Sequence, residues 1–247
     1  DKKEKLKENW SRLSKIAQVD SKLQIVAFSI AEHFRYFLNN GFKAIATESS
    51  RVSAIKLHEF LKSQGLKSAV VISPNVNKAE GDEELNDSDS KYIEDFFKRE
   101  VETRFGKNYE AYEDNVRNNF VDPDGNVDII VVKDKLLTGF NAPNAMILYI
   151  DKPLRDHNLL QAIARVNRVY PGKDYGQIVD FYGVLGKLKS AIEIYSDSES
   201  GLGMFDIKDL NGTLLARDDI IAELEKSYKD LVFIFEGLDY LKQYLYK

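Results

Sequence analysis

The stretch DIIVVKDKLLTGFNAPNAMILYI, residues 128–150, decides the fold class. Two nearly continuous apolar runs, at 128–132 and 145–150, flank a loop of polar and small residues. Such runs are typical of strands that are buried on both faces of a parallel sheet. Three more segments have this character: KAIATE at 43–48, AVVI at 69–72 and QIVDFY at 177–182. Because segments of helical spacing separate these runs, the sequence predicts an α/β fold with a doubly wound parallel sheet.

Helices are predicted between the strands and on either side of the sheet domain. Apolar residues recur at helical spacing at 21–39, 51–63, 91–104, 109–119 and 158–169. The sheet domain is expected at about 40–188, after a helical lead-in at 1–39. Residues 189–247 are expected to form an acidic helical extension. Its apolar run LVFIF, at 231–235, is either part of a core or a surface for docking to another subunit.

The composition limits the kinds of site that the chain can hold. The 247 residues include no Cys and three His, which excludes disulfides, a Cys nucleophile and zinc sites built from Cys and His pairs. No run approaches the roughly 18 apolar residues of a membrane helix, and the N-terminal DKKEKLKENW does not resemble a signal peptide. We therefore expect a cytoplasmic protein without membrane contact, and the initial Asp indicates a fragment of a longer chain.

The charge distribution is uneven. The whole chain has a net charge of −5, which argues against a generally basic coat for nucleic acid. Between residues 133 and 173, however, seven Lys and Arg residues stand against three Asp, a net charge of +4. If the protein binds an anion, this central region is where we expect it.

Three segments are predicted to meet at the carboxyl ends of the strands, where open parallel sheets bind ligands. The first, TESSR at 47–51, offers hydroxyls, an Arg and free helix N–H groups to a phosphate, although taken alone the segment is better explained as a plain helix cap. The second, KDKLLTGFNAP at 133–143, contains Thr138 and Gly139, where a ligand can approach the backbone. An ordinary connection between two elements is the alternative for this loop.

The third segment is the predicted helix that follows His157. Gln161, Arg165 and Arg168 are spaced i, i+4 and i+7, which places them within an arc of about 60°. The opposite side is apolar and is expected to pack on the sheet. Guanidinium groups suit phosphate oxygens because their charge is permanent and their geometry is planar. A solvated polar face gives the same spacing, so the helix becomes informative only together with the other two segments.

These segments resemble the second RecA-like lobe of superfamily two helicases and translocases. Their order matches: a motif IV-like turn (ATESSR), a motif V-like loop (TGFNAP) and a motif VI-like helix (QAIARVNR). Within that superfamily, LLTGFNAP, LYIDKPL, LLQAIARVNRVYPGK and QIVDFYGV look most like the motor (R) subunit of type I restriction enzymes. The resemblance covers about residues 20–190 and implies a RecA-like fold for the sheet domain.

The resemblance also implies a role for each matching residue. In the family, arginines of the second lobe stabilise charge on the γ-phosphoryl group of ATP, and the matching catalytic residues are Arg165 and Arg168. Nucleotide contacts match Gly139, Asn141 and Gln161. DNA-backbone contacts match Ser49, Ser50, Arg51 and Thr138. The family often has Asp at the position of Asn141, which leaves the role of that residue open.

The sequence contains no phosphate-binding loop GxxxxGK[ST], which holds the β-phosphate and Mg²⁺ in such motors. The resemblance therefore implies that ATP and Mg²⁺ bind only in the intact protein, and that this fragment is inactive alone and holds no metal. Implied partners are double-stranded DNA, the first RecA-like lobe and nuclease domain of the same polypeptide, and the specificity and methylation subunits. Another superfamily two helicase or remodeller lobe, a non-catalytic nucleic-acid-binding module and a subunit-docking module are the alternatives.

Overall fold

The structure is a computed structural model that describes residues 20–37, 40–75, 85–137, 139–154 and 156–184, together with Lys229. The chain divides into two compact units, residues 1–184 and 185–247. The helices are α1 (Asp20–Arg35), α2 (Arg51–Ser63), α3 (Asp87–Phe97), α4 (Thr103–Phe105), α5 (Tyr109–Val121) and α6 (Asp156–Val166). The strands are β1 (Lys43–Glu48), β2 (Ser68–Val71), β3 (Ile129–Val132), β4 (Ala145–Asp151) and β5 (Gln177–Asp180). The predicted extension at 189–247 lies outside the described residues, Lys229 excepted.

The five strands form one parallel sheet in the order β2-β3-β1-β4-β5. All residues of β1, β3 and β4 are buried. Burial on both faces explains why these strands appear in the sequence as nearly continuous apolar runs. The predicted parallel α/β class is confirmed, and it is the arrangement that the resemblance to RecA-like lobes implied.

Helices cover both faces of the sheet. Ala44 and Ala46 of β1 pack in a cluster with apolar residues of α1, α2 and α3. Ile45 points to the other face because side chains alternate along a strand, and it lies outside that cluster, as do the buried Leu159 and Ile163 of α6. The β1-α2-β2 and β4-α6-β5 connections advance in opposite directions along the sheet, so right-handed crossovers place α2 and α6 on opposite faces. The sheet is therefore doubly wound.

Polar contacts fasten α1 to the sheet and to α2. The ring nitrogen Nδ1 of His33 hydrogen-bonds with the Tyr149 hydroxyl at 2.8 Å, and Lys56 Nζ donates to Asp20 Oδ1 at 2.7 Å. The apolar side of the helix, which includes Ile30 and Phe34, is fully buried. α1 therefore packs as part of the first compact unit.

The helix predicted at 91–104 and the strand predicted at 177–182 have different bounds in the structure. The helix expected at 91–104 is divided, because the π-helical stretch Lys98–Glu102 separates α3 from α4. The last strand was expected to continue to residue 182 but ends at Asp180. The Asp180 carboxylate accepts from the backbone N–H of Tyr182 at 3.0 Å and of Gly183 at 2.7 Å, so it turns the chain away from the sheet.

Candidate functional site

The loop at residues 133–144 connects the carboxyl end of β3 to the amino end of β4. Its start is held by Lys152, whose Nζ donates to the backbone O of Lys133 at 2.8 Å and forms an ion pair with Asp134. Two loop residues have a left-handed backbone, Gly139 at φ 75° and the buried Leu136 at φ 65°. This conformation strains a non-glycine residue by about 1–2 kcal/mol. Contacts from outside the loop must therefore hold it in this shape.

Arg165 of α6 provides such contacts. Its Nη1 donates to the backbone O of Phe140 at 2.8 Å, and its Nε donates to the backbone O of Leu137 at 3.3 Å. Burial and the nearby charge of Arg168 both lower the pKa of Arg165, burial being the larger cause. Arg165 therefore fixes the backbone on both sides of Gly139.

Arg168 contacts the same loop through a side chain, because its Nη1 donates to Oδ1 of Asn141. α6 ends at Val166, so Arg168 lies in a bend after the helix; the prediction that this helix continues through residue 169 was wrong. The chain turns back here and brings Gly176 against the end of α6. A Cβ at Gly176 would lie 2.3 Å from the backbone O of Val166, so only glycine allows this approach.

Lys173 lies beside these arginines. Its Nζ donates to the backbone O atoms of Pro143 and Ala145, both at 2.8 Å. Burial, and then the positive charge of Arg168, lowers the pKa of Lys173 to about 8. We call Arg165, Arg168 and Lys173 the cation cluster. In the described part of the chain these three residues contact backbone carbonyls and one amide oxygen and form no ion pair, which makes the cluster a suitable receptor for a polyanion.

The other predicted nucleotide residues lie near the cation cluster. Gly139 and Asn141 are exposed in the loop. A Cβ built at Gly139 would meet no atom within 4 Å, so a ligand has room to approach the backbone there. Gln161 is partly buried on α6, one turn before Arg165. Thr138, predicted to contact DNA, lies outside the described residues.

Ser49, Ser50 and Arg51, which we call the serine turn, lead from β1 into α2. Ser50 caps the helix: its Oγ accepts from Ser53 N at 3.0 Å, and Ser53 Oγ accepts from Ser50 N at 3.0 Å. Arg51 is 0% exposed and donates from Nη1 to the backbone O of Asn75 at 2.7 Å. Arg51 was predicted to face a DNA phosphate, but in this conformation its guanidinium braces the segment after β2 and does not face solvent.

The structure does not bring all three predicted segments to one edge of the sheet. Glu48, directly before the serine turn, pairs with Asp151 at the carboxyl end of β4, whereas Lys173 contacts Ala145 at its amino end. The six-residue step along β4 corresponds to about 20 Å. The sequence prediction was wrong here because the next parallel strand must start at the opposite edge, so the loop runs back across the sheet. The serine turn and the cation cluster are therefore separate regions.

A buried pair of carboxylates beside the serine turn was not predicted. Glu48 is 0% exposed, and the adjacent Asp151 is also buried and forms an ion pair with Lys22 of α1. Burial, and then the charge of Asp151, raises the pKa of Glu48 well above its ordinary value; burial likewise raises the pKa of Asp151. The sequence did contain a signal for this pair, because KAIATE and AMILYID both end in an acidic residue. Neighbouring parallel strands end side by side, so their last residues lie next to each other.

Residues 40–183 match the family model described as type I restriction enzyme subunit R domain 3. The chain belongs to this family. Over 241 residues, 96% of the chain, it is 31% identical to the MjaIXP type I restriction enzyme endonuclease subunit of Methanocaldococcus jannaschii. Over 82 residues, 32% of the chain, it is 45% identical to the HindI type I restriction enzyme endonuclease subunit of Haemophilus influenzae. The resemblance inferred from the motifs is thereby confirmed.

This R-subunit domain spans a small part of its relatives, 20% of the Methanocaldococcus subunit and 8% of the Haemophilus subunit. A solved fragment of an HsdR subunit from Vibrio vulnificus is similar over 68% of this chain and 28% of that chain, with 16% identity and a TM-score of 0.42. Within the described ranges, no helix is long and apolar enough to cross a membrane. The same ranges contain no group of three or more His, Asp or Glu residues that could hold a metal ion.

Proposed function

We propose that this chain is the second motor lobe of the ATP-dependent DNA translocase in a type I restriction enzyme R subunit. The observation that carries the proposal is the cation cluster, whose three charges form no ion pair with a described residue and lie beside a loop with open space at Gly139. The phosphates of ATP carry the complementary charge, and guanidinium groups match their oxygens. Family membership supports the same choice, because the relatives are named as endonuclease subunits of type I restriction enzymes.

Within this proposal, Arg168 is the arginine that contacts the γ-phosphoryl group. Its partner in the loop is a neutral amide, so its positive charge is not cancelled. Charge on the phosphoryl oxygens must be stabilised during transfer, and an arginine aimed at them accelerates the reaction by about 10³–10⁵-fold. Arg165 stabilises the same charge from further away, since its Nη1 and Nε already hold the loop. Gln161 and the backbone at Gly139 are proposed as further nucleotide contacts.

The rest of the R subunit must complete the nucleotide site. This chain has no phosphate-binding loop, and its described residues hold no set of metal ligands, so they do not fit a resident Mg²⁺ and we derive no step through it. ATP and Mg²⁺ would be bound by the first RecA-like lobe of the same polypeptide. Closure of that lobe on this one would bring the phosphates to the cation cluster.

DNA-backbone contact is proposed at the serine turn, about 20 Å along β4 from the cation cluster, and also at Thr138. The positive end of the α2 dipole favours a phosphate at this turn, although the Ser50 cap already uses the N–H of Ser53, and the buried Arg51 braces the turn from within. Such contacts carry no sequence information and weaken steeply with salt. The duplex would thus be followed without sequence preference, while the specificity and methylation subunits supply recognition of the site.

The test is Arg168→Ala in the full-length R subunit assembled with its partner subunits. We expect the kcat of DNA-dependent ATP hydrolysis to fall by at least about 10³-fold with duplex binding unchanged. Arg35→Ala is the matched control, because Arg35 is an exposed arginine of α1 that pairs with Glu32. Near-normal turnover of the Arg168 variant would refute the proposal. Weaker DNA binding with unchanged turnover would instead favour a non-catalytic nucleic-acid-binding module.

A further inference from the structure

Asn141 is placed to orient Arg168. The backbone on either side of Asn141 is fixed, because Phe140 and Ala142 are buried and the Phe140 carbonyl accepts from Arg165. Asn141 itself is exposed, and its Oδ1 accepts from Nη1 of Arg168. The anchored loop therefore presents the Asn141 Oδ1 atom as an acceptor to the guanidinium of Arg168, which lies beyond the end of α6.

The chemistry of the acceptor determines what remains available on Arg168. A guanidinium has five N–H donors in one plane, so a bond from Nη1 to an amide oxygen leaves the other donors for a second partner in that plane. The amide orients the group without cancelling its charge. A carboxylate at the same place would form a charge-assisted pair roughly twice as strong and would neutralise the group.

Orientation is important for an arginine outside a helix. Such a side chain samples several rotamers, and ordering it when the ligand arrives weakens the interaction. A group that is already aligned avoids this loss at the moment of reaction. The neighbouring Arg165 and Lys173 cannot align Arg168 because they carry the same charge; the charge of Arg168 is one cause of the lowered pKa of each of them.

We propose that Asn141 is a positioning residue for Arg168: its Oδ1 holds the guanidinium beside the TGFNAP loop so that the remaining N–H groups meet the phosphate. This inference rests on the proposed function, in which Arg168 contacts the γ-phosphoryl group. It changes the role implied by the family resemblance, because Asn141 acts through Arg168 and does not itself contact the nucleotide.

The test is a double-mutant cycle in the full-length R subunit within its assembled complex, with kcat and KM for ATP measured for Asn141→Ala, Arg168→Lys and the double variant. We expect Asn141→Ala alone to lower kcat by about 10-fold, the low end for a hydrogen bond from a charged donor because this pair is exposed, with KM changed by less than about 2-fold. In the Arg168→Lys background the same substitution should have a clearly smaller effect, because an ammonium has no planar set of donors for the amide to orient. Single-turnover measurements allow the rate of ATP hydrolysis to be determined for variants that are too slow for steady-state assays.

Asn141→Asp provides a second arm. It keeps an acceptor oxygen in place but compensates the charge, so we expect its kcat to lie between those of the wild type and Asn141→Ala. Direct nucleotide binding by the amide predicts that Asn141→Ala has the same effect whichever residue stands at position 168. Equal losses in both backgrounds, or an unchanged kcat for Asn141→Ala, would each overturn the inference. These outcomes leave the proposed function intact, which fails only if Arg168→Ala retains turnover.

Discussion

Replacement of Arg165 tests whether this arginine acts by holding the loop of residues 133–144 or by contacting the nucleotide. Arg165 donates to two backbone carbonyls, those of Leu137 and Phe140, from two different nitrogens. A hydrogen bond from a charged donor contributes about 1.5–3 kcal/mol, and partial exposure of this side chain favours the low end. Arg165→Ala should therefore remove about 3 kcal/mol of loop stabilisation. The left-handed strain at Leu136, about 1–2 kcal/mol, would then be opposed by fewer contacts.

A loss of about 3 kcal/mol corresponds to roughly a hundredfold change in the ratio of ordered to open loop, at 1.4 kcal/mol per factor of ten. Backbone amide hydrogen exchange in peptides that span residues 136–141 should accelerate by up to that factor. Arg165→Lys should give an intermediate result, because one ammonium cannot reproduce two fixed donors at the Nε and Nη1 positions. Arg99→Ala is the matched control, since Arg99 is an exposed arginine that pairs with Glu59.

Exchange and turnover must be measured on the same variants. If Arg165 acts mainly by holding the loop, faster exchange accompanies a moderate loss of DNA-dependent ATPase in the full-length subunit. Unchanged exchange combined with a loss of 10³-fold or more would show that Arg165 acts on the phosphates directly. That outcome would refute the assignment of its donors to the loop.

Two further predictions concern pH and folding. Burial lowers the pKa of His58 from 6.5 to about 4. Its neutral form therefore stabilises the native state above pH 6.5, and this stability is lost as the pH falls toward 4. Urea unfolding should show that the free energy of unfolding decreases by about 2 kcal/mol between pH 7 and pH 5, and His58→Gln should abolish this decrease. Burial raises the pKa of Glu48, so its protonated form stabilises the native state at low pH and this stability is lost as the pH rises. Glu48→Gln should therefore raise Tm near pH 8 and flatten its decline with pH, and a lower Tm would contradict this assignment.

The strands could be predicted because their burial requires a recognisable pattern of apolar residues in the sequence. β3 and β4 are buried on both faces, and that environment requires the unbroken apolar runs that the sequence shows. The end of α6 was not predictable in the same way. It depends on the approach of Gly176 to Val166, a contact between residues ten positions apart that no local periodicity records.

The contacts between the predicted site residues followed from the sequence more directly than their place in the fold. Spacing alone identified Arg165 and Arg168 as neighbours, and both contact the loop of residues 133–144. Lys173 was counted only as part of a basic region, because its place beside Arg168 depends on the turn after α6. The expected common edge was wrong for a topological reason, since the strand after the loop must start at the far edge of the sheet.

The loop at 133–144 connects the edge of the sheet that carries the serine turn to the cation cluster. It starts beside β1, where Val132 pairs with Thr47, and it ends where Lys173 holds the Pro143 carbonyl. Lys152 fixes the first end and Arg165 fixes the middle. In the proposed motor, a phosphate that binds Arg165 or Arg168 would therefore displace a loop that is anchored next to the proposed DNA contact. Because Leu136, a non-glycine residue with a left-handed backbone, lies between these anchors, the loop has local strain that would let a change at one end move the other.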